Sequence, residues 1–179
     1  MMDTDIKMNT IFGDGSNQDN SVLGKIFSAG KRMLTGESLF MTVFLNIGQG
    51  KKQVSFASPY PGKILPIDLS EMGGRFICQK DAFLCDAKGV SVGIEFSKRL
   101  GRGLFGGEGF IMQKLEGDGM SFIHAGGTLA KKTLGPGEVL KVDTGCIVGF
   151  TKEVDYDIEF VGGIRNTVFG GEGLFFATL

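Results

Sequence analysis

The feature that most constrains this chain is a glycine motif that recurs. Phe105-Gly106-Gly107-Glu108-Gly109-Phe110 returns as Phe169-Gly170-Gly171-Glu172-Gly173-Leu174, and a weaker form is Thr35-Gly36-Glu37-Ser38-Leu39-Phe40. The step from Glu108 to Glu172 defines a repeat offset. Laid at that offset, residues 62–115 match residues 126–179 without a gap. About 14 identities result where roughly 4 arise by chance, which is the self-similarity of a repeat architecture. Gly62 meets Gly126, Leu65 meets Leu129, Lys88 meets Lys152, and Ile94-Glu95-Phe96 meets Ile158-Glu159-Phe160.

The repeated unit reads as β. Val90 to Phe96 and Val154 to Phe160 alternate apolar with polar or small residues, the period of a strand with one face buried. Upstream the register slips to longer steps, with Phe40 matching Ile111 and Phe56 matching Phe122. The extra residues fall in loop-like stretches, where insertions are tolerated. These matches divide a single domain into a partial first unit over 1–53, a second over 54–116 and a third over 117–179. Expected strand pairs flank a turn: Leu39–Leu45 with Val54–Ala57, and Phe110–Leu115 with Met120–Ile123, the latter joined by Glu116-Gly117-Asp118-Gly119. Leu174–Leu179 has no such successor, and Glu37 has too little chain before it to supply what precedes Glu108. Unpaired strand edges are therefore expected at both ends.

Ahead of the first strand pair, residues 13–21 read as a polar loop. Val22 to Leu34 gathers Val22, Leu23, Ile26, Phe27, Met33 and Leu34 on one side of a short amphipathic helix, with Lys25, Lys31 and Arg32 elsewhere. Such a helix packs on the body of the protein or lies on a membrane surface as a peripheral contact. The chain's 30 glycines stand beside frequent Val, Ile, Leu and Phe, which fits many short strands and excludes collagen or a disordered tract. With 19 Lys and Arg against 20 Asp and Glu, no field of one sign draws the chain to nucleic acid. Cys78, Cys85 and Cys146 form no Cys-x-x-Cys pair and read as reduced thiols of a cytoplasmic protein.

Five stretches carry a resemblance: Pro59 to Ile64, Gln79 to Leu84, Leu104 to Phe110, Phe122 to Gly127, and Phe169 to Phe175. In this order they resemble a bacterial and archaeal family of unknown function, related to the yeast mitochondrial protein named for altered inheritance of mitochondria. The resemblance implies an all-β fold of three tandem TRAP-like units, the fold of the tryptophan RNA-binding attenuation protein, a short relative of the double-stranded β-helix. It further implies rings of units, here a homotrimer contributing nine. Relatives of this kind begin earlier and end later, and no enzymatic activity follows from the family.

The candidate functional residues are weighed against that frame. Glu37, Glu108 and Glu172 hold equivalent places beside glycines, where a carboxylate accepts from nearby backbone amides, or forms an acidic ring about a symmetry axis. His124 is the single histidine, so a metal site needing several imidazoles is excluded, and no metal or cofactor is expected. Lys98, Arg99 and Arg102 make a basic patch, a solvated loop or, repeated by symmetry, a ring for RNA or lipid headgroups. No Trp is present to stack bases, which makes nucleic acid a minor alternative. The reading is a non-enzymatic, self-associating scaffold or binding module. The alternatives are an RNA or small-molecule binder using clefts between units, and an enzyme acting through His124 with Glu108 or Lys80.

Overall fold

Successive side chains of an extended chain point to opposite faces, so the alternating segments become strands as soon as two of them can pair. The computed structural model describes residues 1–12, 40–95, 111–160 and 175–179. Its strands are β1 (Ile6–Phe12), β2 (Phe40–Asn46), β3 (Lys63–Asp68), β4 (Arg75–Gln79), β5 (Phe83–Asp86), β6 (Ser91–Glu95), β7 (Met112–Glu116), β8 (Met120–Ala125), β9 (Lys141–Asp143), β10 (Gly149–Thr151), β11 (Asp157–Phe160) and β12 (Phe175–Thr178). Short 3-10 turns occupy Lys80–Ala82 and Thr144–Cys146. The described residues are thus all-β, in antiparallel sheets of order β1-β2, β10-β4-β7-β6, β11-β12-β9 and β3-β8-β5. The expected helix at 22–34 lies outside the described residues, as do Glu37, Glu108 and Glu172. Among the described residues no helix is long and apolar enough to cross a membrane.

The repeat offset reappears as register. β7 lies between β4 and β6, and β12 lies between β9 and β11. Gln79 and Glu95 both face Met112 across their ladders. Their counterparts one repeat on, Asp143 and Glu159, both face Phe176. The two 3-10 turns are counterparts at the same offset, Lys80 answering to Thr144. The ribbon β1-β2 is a further copy of the outer hairpin: Ile11 faces Met41 as Glu95 faces Met112, and the step from Met41 to Met112 is the one from Phe40 to Ile111.

The offset breaks at β3. Its counterpart near Leu129 is not a strand, because β3 owes its extension to β8, from Lys63 opposite Ala125 to Asp68 opposite Met120. No described strand lies beside 126–140 in the same way. The counterpart of β5 is β10, which crosses to β4 with Gly149 opposite Cys78 and Thr151 opposite Phe76. Gly149 permits this approach: a Cβ there would stand 2.6 Å from the Ile77 carbonyl oxygen and from the Phe76 ring.

Among the described residues two apolar cores result. The first gathers Ile67, Leu69, Phe76, Cys78, Ala82, Val90, Val92, Leu115 and Ile123, with Met41 and Phe83 packed against it. The second gathers Ile77, Met112, Ile147, Phe150 and Ala177, with Val142, Val154 and Tyr156 against it. β4 serves both, since Phe76 and Cys78 point one way and Ile77 the other.

Two expectations are corrected. At the carboxyl-terminal end the last strand is paired: β12 has neighbours on both sides, and Leu140 and Leu179 exchange backbone hydrogen bonds of 3.0 and 2.9 Å, whereas at the other end β1 and β2 pair only with each other among the described residues, as the expectation of open edges requires. At the other end Met2 bridges Val54, and the Ser55 amide donates to the Met1 carbonyl at 2.7 Å. The expected strand Val54–Ala57 shrinks to that single bridge, because its neighbour there is only a short piece of extended chain.

Leu115 is fully buried between the β4-β7-β6 face and β8, whereas Val139 is 66% exposed. Leu115→Ala should cost about 2–5 kcal/mol in denaturant unfolding, and Val139→Ala should stay within about 0.5 kcal/mol of the parent.

Candidate functional site

The sequence leaves a buried imidazole on β8, and the chain closes over it. His124 is 5% exposed, opposite Ile64 in the β3-β8 ladder. Its Nδ1 lies 3.0 Å from Ser58 Oγ. The Tyr60 ring meets the imidazole edge to face, with centroids 4.9 Å apart. Nε2 is buried and has no hydrogen-bond partner among the described residues. Pro59-Tyr60-Pro61-Gly62 brings Gly62 over that atom, where a Cβ would stand 2.3 Å from Nε2 and 2.3 Å from the Ala125 carbonyl oxygen. Only glycine fits beneath this crossing.

A nucleophilic hydroxyl needs a base beside it and a third group to orient the base. Ser58 and His124 supply the first two, and the free face of the imidazole is sealed by Gly62. Lys80, the partner considered for His124, sits on the 3-10 turn after β4, where its amide donates to the Ile111 carbonyl at 2.9 Å. No hydrogen bond joins Lys80 to His124 among the described residues. Glu37, Glu108, Glu172, Lys98, Arg99 and Arg102 lie outside the described residues. Among the described residues, no three His, Cys, Asp or Glu side chains gather as metal ligands.

A second buried polar place escaped the sequence reading. Asp86 on β5 stands opposite Ser121 on β8, so both side chains leave the sheet on one face. That face also carries Ile67 and Ile123 of the first core. Asp86 Oδ2 and Ser121 Oγ are both buried without partners among the described residues. Burial pushes the Asp86 carboxyl up to about 6, against a smaller opposing pull from its own backbone amide. The neighbouring Cys85 thiol is raised by burial first and by the Asp86 charge second. A signal did exist: one repeat on, Phe150 fills the second core at the position Asp86 holds.

Charge is paired across the repeated sheets in the same pattern. Glu95 on β6 receives Arg75 from β4, and Glu159 on β11 receives Lys141 from β9, Nζ to Oε2 3.0 Å. Lys114 and Arg75 also reach Glu116, at 2.7 and 3.7 Å. A pair as exposed as Lys141–Glu159 contributes at most about 1 kcal/mol, whereas Arg75–Glu95 is part-buried.

A carboxyl raised in the folded state favours its protonated form. Stability is therefore greatest below the ordinary carboxylate range near about 4 and falls as pH rises through about 6. Asp86→Asn should match the parent in melting temperature at pH 4 and exceed it by several degrees at pH 8. A difference that is constant across this range would contradict the buried carboxylate. Gly62→Ala should destabilise at every pH, because the clash is with backbone as well as imidazole.

Comparison with known proteins places these features in a wider group. A family model described as mitochondrial biogenesis AIM24 matches residues 1–179. An uncharacterized protein of Streptococcus pyogenes serotype M6 is 34% identical over 161 residues, covering 88% of this chain and 62% of the relative. The chain thus spans less than two thirds of that relative's length. A crystal structure of a Streptococcus pyogenes protein matches with a TM-score of 0.69 over 99% of this chain and 74% of that one, at 24% identity, which is a likeness of fold.

Proposed function

Since this chain belongs to the mitochondrial biogenesis AIM24 family, we propose that it is a non-enzymatic scaffold or binding module that works as a homotrimer of three-unit, TRAP-like chains. The observation that carries this reading is where the apolar surface lies. Besides Tyr60, Ile64 and Val139, the exposed large apolar residues among the described ones are Met8, Val43, Leu45, Ile47 and Phe56, with Met1 and Met2, all on the first ribbon and the chain beside it. Phe44 holds Phe56 edge to face at 5.3 Å, so the patch is ordered. On one face of the ribbon the counterparts are core residues: Leu115 and Val92 occupy in β7 and β6 the places of Phe44 and Met8 and are buried, while the counterparts of Val43 and Leu45 on the other face are the charged Lys114 and Glu116. Apolar surface of this extent on one unit is the mark of an interface.

In this reading, each ribbon meets a neighbouring chain, the ring is cytoplasmic, and any membrane contact is peripheral through residues 22–34. The family description, mitochondrial biogenesis, fits a structural part near a membrane better than a turnover reaction. His124 holds Pro59 to Gly62 in place and takes no part in chemistry. RNA or a small ligand in clefts between units is the second reading, and it is separated by salt: phosphate contacts weaken steeply as salt rises.

Light scattering at low and moderate salt tests the assembly. The expected molar mass is three times the 19.1 kDa of one chain at both, and His124→Ala should leave it unchanged. A monomer at micromolar concentration would overturn the reading.

A further inference from the structure

Residues 58–62 form a strap that runs over the surface and hangs on one buried side chain. Pro59, Tyr60, Pro61 and Gly62 are exposed, and Ser58 is half-buried. Among the described residues no backbone hydrogen bond holds 58–62 to the rest of the chain. The contacts of the strap converge on His124 instead. Ser58 Oγ meets Nδ1 at 3.0 Å, the Tyr60 ring meets the imidazole edge to face, and Gly62 crosses over Nε2. The strap supplies the cover that leaves His124 5% exposed, for Ile64, opposite it in the β3-β8 ladder and on the same face, is 45% exposed.

We infer that this strap is an acid-released latch, closed over the neutral imidazole of His124 and opened when that imidazole takes up a proton. In the tautomer that donates from Nδ1 to Ser58 Oγ, Nε2 carries no hydrogen, which suits an atom pressed by the Gly62 backbone. Protonation adds an N–H at Nε2 and a full charge, where a Cβ on Gly62 would already stand 2.3 Å away. A buried donor without an acceptor and a buried charge without a counter-charge are both costly, and lifting the strap gives both to water. The titratable group that faces the ring from the strap is Tyr60. On the same face of the sheet Cys85 lies opposite Phe122, and Asp68 lies at the far end of β3, held by Ser70. Lys63 and Asp86, opposite Ala125 and Ser121, leave the other face. Lys80 and Asp81 lie on the 3-10 turn packed on β8. Among the described residues none of these carboxylates pairs with His124. Release turns a sealed face of the sheet into one that presents a cation to water.

The single histidine makes the test direct, because one imidazole resonance reports its protonation in the intact chain. Backbone relaxation is read at the same time for the Tyr60 and Gly62 amides, at about pH 7.5 and about pH 5.5, the interval in which an imidazole ordinarily changes charge. Their order parameters should fall from about 0.85 to below about 0.6 as the imidazole protonates, while those of β3 and β8 stay high. The ring-to-ring contact of Tyr60 with His124 should be lost over the same interval. Asp86→Asn should show the same response, which separates it from the carboxyl that burial raises to about 6. His124→Gln should leave the strap at one order parameter at both pH values, and the parent alone decides should that variant fold poorly. A protonated imidazole beneath a strap that stays rigid would overturn the inference. A pH response that survives His124→Gln or vanishes with Asp86→Asn would overturn it too, as would opening that occurs only with loss of the β3-β8 ladder.

Discussion

The structure depends on β4 being shared. A strand with neighbours on both sides and apolar side chains on both faces joins whatever packs on it, because neither face can be uncovered without exposing apolar area at about 25 cal/mol per Å2. β4 meets both conditions: β7 and β10 hold its edges, Phe76 and Cys78 enter the first core, and Ile77 enters the second. β7 repeats the arrangement, with Leu115 in one core and Met112 in the other. Two units of similar sequence are thereby fused into one body, and the Gly149 crossing is the contact that fuses them.

Much of this was legible in the sequence, because a repeat writes its register twice. The strict alternation of Val90 to Phe96 and the gapless match of 62–115 to 126–179 foretold β6, β7, β11 and β12, and the identical ladders follow from them. What the match could not foretell was pairing with a strand that has no counterpart. Leu65 and Leu129 are identical in type, yet only Leu65 lies in a strand, since only it has β8 alongside. Extension there is a property of the neighbour, not of the leucine. The crossing of β10 to β4 was equally hidden, for nothing local in Gly149-Phe150-Thr151 says which edge it will meet.

The polar sites were legible in part. His124 stood out by being the single histidine, but its partners, Ser58 and the Tyr60 ring, come from a loop far away in sequence, on the other side of two sheets' worth of chain. Asp86 was passed over because an acidic residue at the end of a short strand reads as solvated. Its orphaned oxygen appears only once Ser121 and the first core are placed around it. Both sites occur where the units differ in sequence, and difference within a repeat is a better pointer to function than identity, which architecture alone explains.

The central claim is that the two cores form one cooperative unit through β4. The most direct measurement is residue-resolved amide exchange of Ile77→Ala across a denaturant series. Ile77 touches only the second core, yet the shared strand predicts that amides of β6-β7 and of β11-β12 lose protection together, in one transition shifted to lower denaturant. Loss of protection in β11-β12 alone, with β6-β7 unchanged, would contradict it.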